Sequence, residues 1–147
     1  MISFKKNNRG FTIVELLIVI VVIGILAALV VTTYNGIQQK ARDTERKTDI
    51  NALHGQIEAY QAQNGKYPTL GNMNDSAFRS ANLKGLDPAA LQDPKGTSQA
   101  LCGNSTPDCY IYDVTPAGCD NSTTDCTTYT LTATLEAGGT YVKQSLN

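Results

Sequence analysis

Apolar side chains are concentrated in one run near the start of the chain. Between Leu16 and Gln39 no residue carries a charge, and almost every side chain from Leu16 to Val31 is apolar. Counted from Phe11 to Val31, with Glu15 as the one charged interruption, the run has the roughly 20 residues that a transmembrane helix needs. The pattern therefore predicts that this part of the chain spans a membrane as a helix.

The helical pattern continues beyond the apolar run. Four apolar residues recur at helical spacing and define one face of a helix: Ile50, Leu53, Ile57 and Tyr60. Asn64-Gly65 is a typical helix stop, and Pro68 follows shortly after it. We therefore expect one long helix over residues 11–64, in which residues 11–34 serve the membrane and assembly and residues 35–64 are amphipathic.

Charged residues lie between the membrane segment and this apolar face. Asp43 and Lys47 are four residues apart, and Arg42 and Glu45 are three apart, so each pair would lie side by side on a helix. We interpret the run as a solvated helix face. Salt bridges between neighbouring copies of the chain are the alternative interpretation.

The last third of the chain predicts a small antiparallel sheet. Three segments have strand patterns: residues 110–114, 129–135 and 141–146. A hairpin loop at residues 136–139 joins the last two, and the middle strand alternates cleanly, with Leu131, Ala133 and Leu135 as its core face. A sheet this small is not stable alone, so we expect it to pack on the apolar face of the helix.

The fold class predicted from these patterns is α+β, with a long N-terminal helix whose second half packs against a small antiparallel sheet. Residues 65–147 would form a globular head, in which residues 66–101 are an irregular connection. Two short helices are expected there. One is capped within Asn74-Asp75-Ser76 and ends near Leu83, and the other opens at Asp87-Pro88.

Positive charge at the N-terminal end sets the expected topology. Lys5, Lys6 and Arg9 flank the apolar run, and excess positive charge stays in the cytoplasm. The N-terminus is therefore expected inside the cell and the rest of the chain outside. The formal net charge of the 147-residue chain is −1, which gives no reason to expect nucleic-acid binding.

The four cysteines fall in an internal near-repeat. Cys102 and Cys109 enclose Gly-Asn-Ser-Thr-Pro-Asp, and Cys119 and Cys126 enclose Asp-Asn-Ser-Thr-Thr-Asp. Four cysteines allow three pairings, and the equal loops favour Cys102–Cys109 and Cys119–Cys126, each closing a turn between strands. Zinc is the competitor, but the spacing does not suit it, and His54 is far away on the helix. Disulfides need an oxidising exterior, which agrees with the expected topology.

A short motif precedes the apolar run. Arg9-Gly10-Phe11 leads into Thr12-Ile13-Val14-Glu15, so a basic residue and a glycine come first and one carboxylate lies just inside the hydrophobic segment. A carboxylate in a membrane is costly, so Glu15 is expected to have a partner. A secretory signal cleaved near Ala27-Ala28 and a plain single-pass anchor are alternatives, but neither accounts for Gly10-Phe11 or for Glu15.

The segment from Arg9 to Leu29 resembles the class III signal of type IV pilins and of the pseudopilins of type II secretion. The similarity is looser from Gln38 to Pro68. The resemblance implies that a prepilin peptidase and methyltransferase removes the first ten residues by cutting after Gly10 and then N-methylates Phe11. It also implies that Glu15 acts in assembly. The new amine on Phe11, of the same or a neighbouring subunit, would neutralise this carboxylate and set the register of the subunits.

The chain departs from many type IV pilins in one respect. They carry a proline about two thirds of the way along this helix, where Thr32 stands here, and the chain has no proline between Met1 and Tyr67. A proline-linked kink is therefore not expected. Gly24 and Gly36 are the weaker helix breakers that remain in this region.

The resemblance implies a structural role. The favoured hypothesis is a type IV pilin, held in the membrane as a single-pass protein and then polymerised by an assembly platform into an extracellular homo-oligomeric filament. The alternative is a pseudopilin of a type II secretion system, which forms a short piston-like filament. The charged stretch, the missing proline and Asn64-Gly65-Lys66-Tyr67-Pro68 favour the pseudopilin, whereas the disulfide-closed end favours the pilin.

An anchored enzyme or binding module is a third hypothesis, from another class. No histidine, cysteine or serine constellation in the sequence suggests catalysis, because a nucleophile without a base is not a catalytic site. His54 is interpreted as a helix-surface histidine. The chain is therefore expected not to be an enzyme.

No cofactor is expected from the sequence. Asp108, Asp120, Asn121 and Asp125 offer oxygens of the kind that calcium binds, but they show no ordered ligand spacing, and we interpret them as parts of solvated loops. The resemblance keeps calcium open, because major pseudopilins carry a calcium-binding C-terminal loop. Asn-Ser-Thr sequons begin at Asn104 and Asn121, and such sequons arise easily by chance in so polar a stretch.

Overall fold

In the computed structural model of the chain, one α-helix, α1, runs without a break from Ile13 to Asn64. It ends where the sequence predicts, because Gly65 adopts a left-handed φ of 75° and its N–H donates to the Gln61 carbonyl at 2.7 Å. Gly24 and Gly36 lie inside the helix. A helical glycine costs only about 1 kcal/mol relative to alanine, so neither residue breaks α1.

The structure describes residues 10–104 and 106–147, apart from the side chain of Thr32. The body of the predicted leader, with the basic residues from which the topology was predicted, lies outside the described residues. Two compact units are distinguished, Met1–Gln38 and Gln39–Asn147, and α1 contributes to both. The predicted α+β class, with a long N-terminal helix and a small antiparallel sheet, is confirmed.

The described part of the first unit is an apolar helix whose large side chains are exposed. Ile20, Leu26 and Val30 are 62, 56 and 64 % exposed. A continuous apolar surface of this kind needs lipid or other protein against it. Among the described residues, α1 is the one helix that is long and apolar enough to cross a membrane, judged by length and composition.

The second unit contains a three-stranded antiparallel sheet in the order β1-β2-β3. The strands are β1, Ile111–Thr115, β2, Thr128–Thr134, and β3, Thr140–Gln144. All three predicted strands are therefore present, with ends shifted by one or two residues. Leu135 was expected on the core face but follows the end of β2 and is only half-buried, because the chain turns there into the hairpin loop.

The sheet packs on the predicted face of α1. Ile50, Leu53 and Ile57 are fully buried, and they share one core cluster with Tyr129 and Leu131 of β2. The remaining core residues come from the connection, β1, β2, the disulfide loops and the last part of α1: Tyr60, Tyr67, Met73, Leu83, Leu86, Ala90, Leu91, Leu101, Tyr110, Tyr112, Cys119, Cys126 and Ala133.

The connection between α1 and the sheet holds short helices with well-formed caps. The two expected helices are present as α3, Ser76–Asn82, capped by Asp75, and a 3₁₀ helix, Pro88–Leu91, capped by Asp87. A further helix, α2, Leu70–Asn74, was not predicted. Thr69 and Asn72 form a reciprocal capping box at its start, which is the local signal that stabilises so short a helix.

The charged run of α1 is only in part the solvated face that was expected: Glu45 and Lys47 are exposed, but two of its charged residues are not. Arg46 and Asp43 are buried, with only 2 % and 5 % of their surface exposed. Asp43 pairs with Arg46 and not with Lys47, and Arg42 pairs with Glu136 of the hairpin loop instead of a residue on its own helix. For Asp43 and Arg46 the expectation was wrong, because the loop after β2 packs against this turn of α1, a contact that no local pattern encodes.

Candidate functional site

The predicted processing site lies just before the start of α1. Gly10 and Phe11 are exposed and not helical, and the helix begins two residues later at Ile13. Exposed, non-helical peptide bonds are the ones that proteases reach most readily. The geometry is therefore compatible with cleavage after Gly10 and methylation of Phe11, which stay predictions.

Glu15 and Thr12 form a reciprocal cap at the start of α1. Glu15 Oε2 accepts hydrogen bonds from the Thr12 N–H and the Thr12 hydroxyl, both at 2.8 Å. The Glu15 N–H donates in return to Thr12 Oγ1 at 3.2 Å. This arrangement is a capping box, in which a threonine and a glutamate three residues later satisfy backbone N–H groups that have no helical partner. The cap was not predicted, although the spacing of Thr12 and Glu15 is its sequence signature.

The cap gives the Glu15 carboxylate a partner within its own chain. Both accepted hydrogen bonds go to Oε2, and no donor in the described part of the chain bonds to Oε1. Because a carboxylate has about four acceptor positions, a cationic amine can bind the second oxygen while the cap persists. Glu15 can therefore combine helix capping with the pairing to the Phe11 amine that the resemblance implies.

A buried ion network joins three parts of the second unit. Arg46 donates from Nε and Nη2 to both carboxylate oxygens of Asp93, at 2.7 and 2.9 Å. Its Nη1 donates to Asp43 at 2.9 Å and to Glu136 at 3.0 Å. Arg42 adds a bidentate pair with Glu136 at 2.6 and 2.7 Å. The network thus fixes α1 to the segment at Asp93 and to the hairpin loop between β2 and β3.

The carboxylates of this network have lowered pKa values. Desolvation raises the pKa of Asp43, but hydrogen bonds from two backbone N–H groups of the hairpin loop and from Arg46 hold it below its ordinary value. Desolvation likewise raises the pKa of Asp93, but the hydrogen bonds from Arg46 and from the Lys95 N–H, together with the charge of Arg46, hold it below its ordinary value. The hydrogen bond from Arg42 holds the pKa of Glu136 well below its usual range. All three groups are charged and paired at neutral pH, which suits a structural role.

His54, which was expected on the helix surface, contacts the sheet through its ring. It is half-buried, and its Nδ1 lies 2.6 Å from the Tyr129 hydroxyl. The same hydroxyl donates to Glu58 Oε1 at 2.9 Å, so Tyr129 links His54 to Glu58. Glu58 also accepts from the Tyr67 hydroxyl at 3.1 Å and from the Leu146 N–H at 3.2 Å. This cluster ties β2 and the end of the chain to α1.

Both disulfides close within their own repeat, in the pairing that equal loops favour: Cys102–Cys109 and Cys119–Cys126. The second lies between β1 and β2, as expected, but the first lies before β1. Cys102 lies beside the start of β1. Its N–H donates to the Tyr110 carbonyl and its carbonyl accepts from the Tyr112 N–H, both at 2.8 Å. The expectation of a turn between strands was therefore wrong for the first loop.

Three of the four side chains considered for calcium are engaged inside the chain: Asp120, Asn121 and Asp125. The Asp120 carboxylate accepts two backbone N–H groups of its own loop, each at 2.8 Å. The Lys66 ammonium lies 3.0 Å from Asp125 Oδ1 and donates to the Asn121 carbonyl at 2.7 Å. Asp108 belongs to the other disulfide loop. No group of three or more His, Cys, Asp or Glu side chains in the described ranges could hold a metal, and an ammonium among the loop oxygens does not fit calcium.

The two sequons differ in their surroundings. The Asn121 amide Nδ2 donates to the Tyr67 carbonyl at 2.7 Å, and its Oδ1 accepts from the Cys126 N–H at 2.9 Å, so this side chain is engaged in the fold. Asn104 is exposed, but Ser105 of its sequon lies outside the described residues.

Comparison with protein families supports the N-terminal motif. The family model described as "Prokaryotic N-terminal methylation motif" matches residues 5–31. This stretch contains Gly10, Phe11 and Glu15, together with most of the apolar run. No solved structure matches the chain.

Curated relatives extend the similarity beyond that motif. Type II secretion system core protein G of Escherichia coli (strain K12) is 33 % identical over 121 residues, which cover 76 % of this chain and 82 % of that protein. The protein of the same name from Dickeya chrysanthemi is 42 % identical over 65 residues, or 44 % of this chain. Type IV major pilin protein PilA of Myxococcus xanthus (strain DK1622) is 35 % identical over 69 residues, or 47 % of this chain. The chain spans 42 % of the Dickeya protein and 31 % of the Myxococcus protein.

Proposed function

Because the chain belongs to the family of pilins and type II secretion pseudopilins, we propose that it is a pseudopilin, a structural subunit of the filament of a type II secretion system. The observation that carries the proposal is the 121-residue alignment with type II secretion system core protein G of Escherichia coli. That alignment is longer than the 52-residue helix α1, so it includes the head as well as the N-terminal segment.

The type IV pilin favoured on sequence grounds becomes the second candidate. The match to the Myxococcus pilin, over 47 % of this chain, supports it, and so do the two disulfides of the head. The balance changes because most of the named relatives are secretion core proteins, among them the one with the longest of the reported alignments. The charged stretch that had favoured a pseudopilin no longer distinguishes the candidates, since its two buried side chains, Asp43 and Arg46, pair within the second unit.

Processing of the N-terminus is the first step of the proposed function. A prepilin peptidase and methyltransferase cuts the exposed bond after Gly10 and methylates the new terminus at Phe11. The apolar helix stays attached to the mature protein, because the cut lies before it. With its side chains exposed, this helix is held by lipid in the stored subunit and by neighbouring copies in the filament.

In this proposal the Glu15 carboxylate has two roles: it caps α1 and it takes part in filament assembly. In the stored subunit Thr12 holds the carboxylate at Oε2, so the charge is not left without a partner. In the filament the methylated amine of Phe11, from the same or a neighbouring subunit, binds the remaining oxygen. Such a pairing adds little net stability but sets register, because a shifted subunit leaves a buried charge unpaired.

The head supplies a rigid body and not a catalytic site. Its polar clusters are paired internally: the carboxylates around Arg46 are held in ion pairs, and His54 is bonded to a tyrosine. The proposed partners are copies of the same chain, the prepilin peptidase, the membrane and the assembly platform of the secretion system. The proposed topology is a single pass, with the N-terminus in the cytoplasm and the head on the opposite side.

The experiment is deletion of the gene in the native organism, with complementation by the wild-type gene. Protein secretion into the medium and the number of surface pili are measured in the same cells. For a pseudopilin, secretion is lost and pili are retained, and complementation restores secretion. Loss of pili with normal secretion would assign the chain to a pilus, and no effect on either would contradict both candidates.

A further inference from the structure

The second disulfide loop, residues 119–126, docks on the chain just after α1. The Tyr67 N–H donates to the Cys126 carbonyl at 2.9 Å, and the Asn121 amide donates to the Tyr67 carbonyl at 2.7 Å. The Cys126 N–H donates to Asn121 Oδ1 at 2.9 Å. Asn121 has a left-handed φ of 62°, a conformation that asparagine tolerates better than most residues. The loop is therefore held in one defined conformation against the end of the helix.

One cation lies among the oxygens of this loop. The Lys66 ammonium donates to the Asn121 carbonyl at 2.7 Å and lies 3.0 Å from Asp125 Oδ1. The Lys66 side chain is 30 % exposed and that of Asp125 is 62 % exposed, so the pair is partly open to solvent. A backbone carbonyl and a carboxylate converging on one positive centre are the donor types that a calcium loop presents to its ion.

We propose that the Lys66 ammonium takes the place of a bound cation in this loop, so that the conformation of the head does not depend on calcium. A calcium ion within 2.3–2.6 Å of the same oxygens, about the usual distance, would lie next to the ammonium and be repelled by it. The Asp120 carboxylate is also engaged within the loop, because Oδ1 accepts backbone N–H groups and Oδ2 accepts from the Thr123 hydroxyl at 3.1 Å. The disulfide Cys119–Cys126 closes the loop covalently around this arrangement.

The first test is the calcium dependence of the full-length chain in detergent. The melting temperature of the head is followed by near-ultraviolet circular dichroism of its buried tyrosines, in excess EDTA and in millimolar calcium chloride. The two temperatures are expected to be the same. A melting temperature that rises with calcium chloride in a saturable way and falls again with EDTA would overturn the proposal.

The second test removes the ammonium. Lys66→Met keeps most of the aliphatic stem, and Lys84→Met is the matched control, because Lys84 is exposed and makes no ion pair among the described residues. Lys66→Met should lower the melting temperature by roughly 2–6 °C, as expected for loss of a partly exposed ion pair in a domain of this size. Lys84→Met should leave it unchanged.

A double-mutant cycle with Asp125 distinguishes loss of the Lys66–Asp125 contact from a general loss of stability. In a double-mutant cycle with Asp125→Asn, the effects of the two substitutions should not add, because either one removes the same contact. Simple additivity, or a Lys66→Met effect no larger than that of Lys84→Met, would contradict the proposal. Since the test measures the loop alone, its failure would leave the proposed role in secretion unaffected.

Discussion

Replacing Arg46 with methionine tests whether the buried ion network holds the head together. Arg46 is 2 % exposed and donates to both oxygens of Asp93, to Asp43 and to Glu136. Methionine fills most of the space but offers no donor. The substitution therefore leaves the buried carboxylates of Asp93 and Asp43, with 4 % and 8 % exposed side chains, without their principal counter-charge.

The expected magnitude follows from that burial. Removing one partner of a buried ion pair costs about 3–5 kcal/mol, because the remaining charge is left uncompensated in a poorly solvated place. For a domain of about 100 residues, each 1 kcal/mol lowers the melting temperature by about 4–8 °C. Arg46→Met should therefore lower the melting temperature of the head by at least about 12 °C.

The assay is thermal unfolding of the full chain in detergent, followed by near-ultraviolet circular dichroism. This signal reports the packing of the tyrosines, so the long helix, which dominates the far-ultraviolet spectrum, does not mask the head. Lys47→Met is the matched control, because Lys47 is exposed on the same turn of α1 and loses the same charge. Its effect should stay within about 0.5 kcal/mol.

Arg46→Lys separates charge from geometry. Lysine keeps the positive charge but cannot make the bidentate contact to Asp93, so an intermediate loss of stability is expected. This variant also gives a measurable value should Arg46→Met fail to fold. A loss of less than 1 kcal/mol for Arg46→Met, or an equal loss for Lys47→Met, would refute the reasoning that the network stabilises the head.

Three further predictions concern other parts of the chain. Burial raises the pKa of Asp49 to about 6, so the folded state holds a proton that the unfolded chain releases near pH 4. Stability should therefore fall as the pH rises from about 4 to about 6, and urea unfolding of Asp49→Asn across that range should not show this slope. Glu15→Gln keeps the capping geometry and loses the charge, whereas Thr12→Val keeps the charge and loses the cap. The ratio of filament subunit to membrane-embedded subunit should fall for Glu15→Gln and change little for Thr12→Val. The reverse result would mean that Glu15 acts only as a helix cap. Replacing Cys119 and Cys126 together by serine should cost about 2–3 kcal/mol in urea unfolding, as expected for an eight-residue loop, and an unchanged midpoint would contradict a stabilising disulfide.

The elements of the fold could be predicted because their signals are local. The apolar run, the Asn64-Gly65 stop and the alternation of β2 each lie within a few residues, so α1 and the sheet are found with ends in error by one or two positions. The sequence also predicts which side of α1 the sheet covers, because the apolar face of a helix is the side that has to be buried.

The polar contacts could not be predicted in the same way, because they join residues far apart in the sequence. Arg46 pairs with Asp93 and Glu136, at separations of 47 and 90 residues, and nothing local distinguishes it from the exposed Lys47. The ammonium of Lys66 reaches a loop 55 residues away. The Thr12 and Glu15 cap is different, since its spacing is a local signal, although the sequence-based prediction gave Glu15 only the Phe11 amine of the same or a neighbouring subunit as a partner.

The most direct test of the central claim is the intact mass and N-terminal sequence of the mature protein purified from membranes of the native organism. The account predicts a chain that begins at Phe11, carries one methyl group on its N-terminal amine and retains the whole apolar helix. In a strain that lacks the prepilin peptidase, the same protein should keep the residues before Phe11. A mature protein that begins at or beyond Ala28 would contradict the account, because the helix that anchors and assembles the subunit would have been removed.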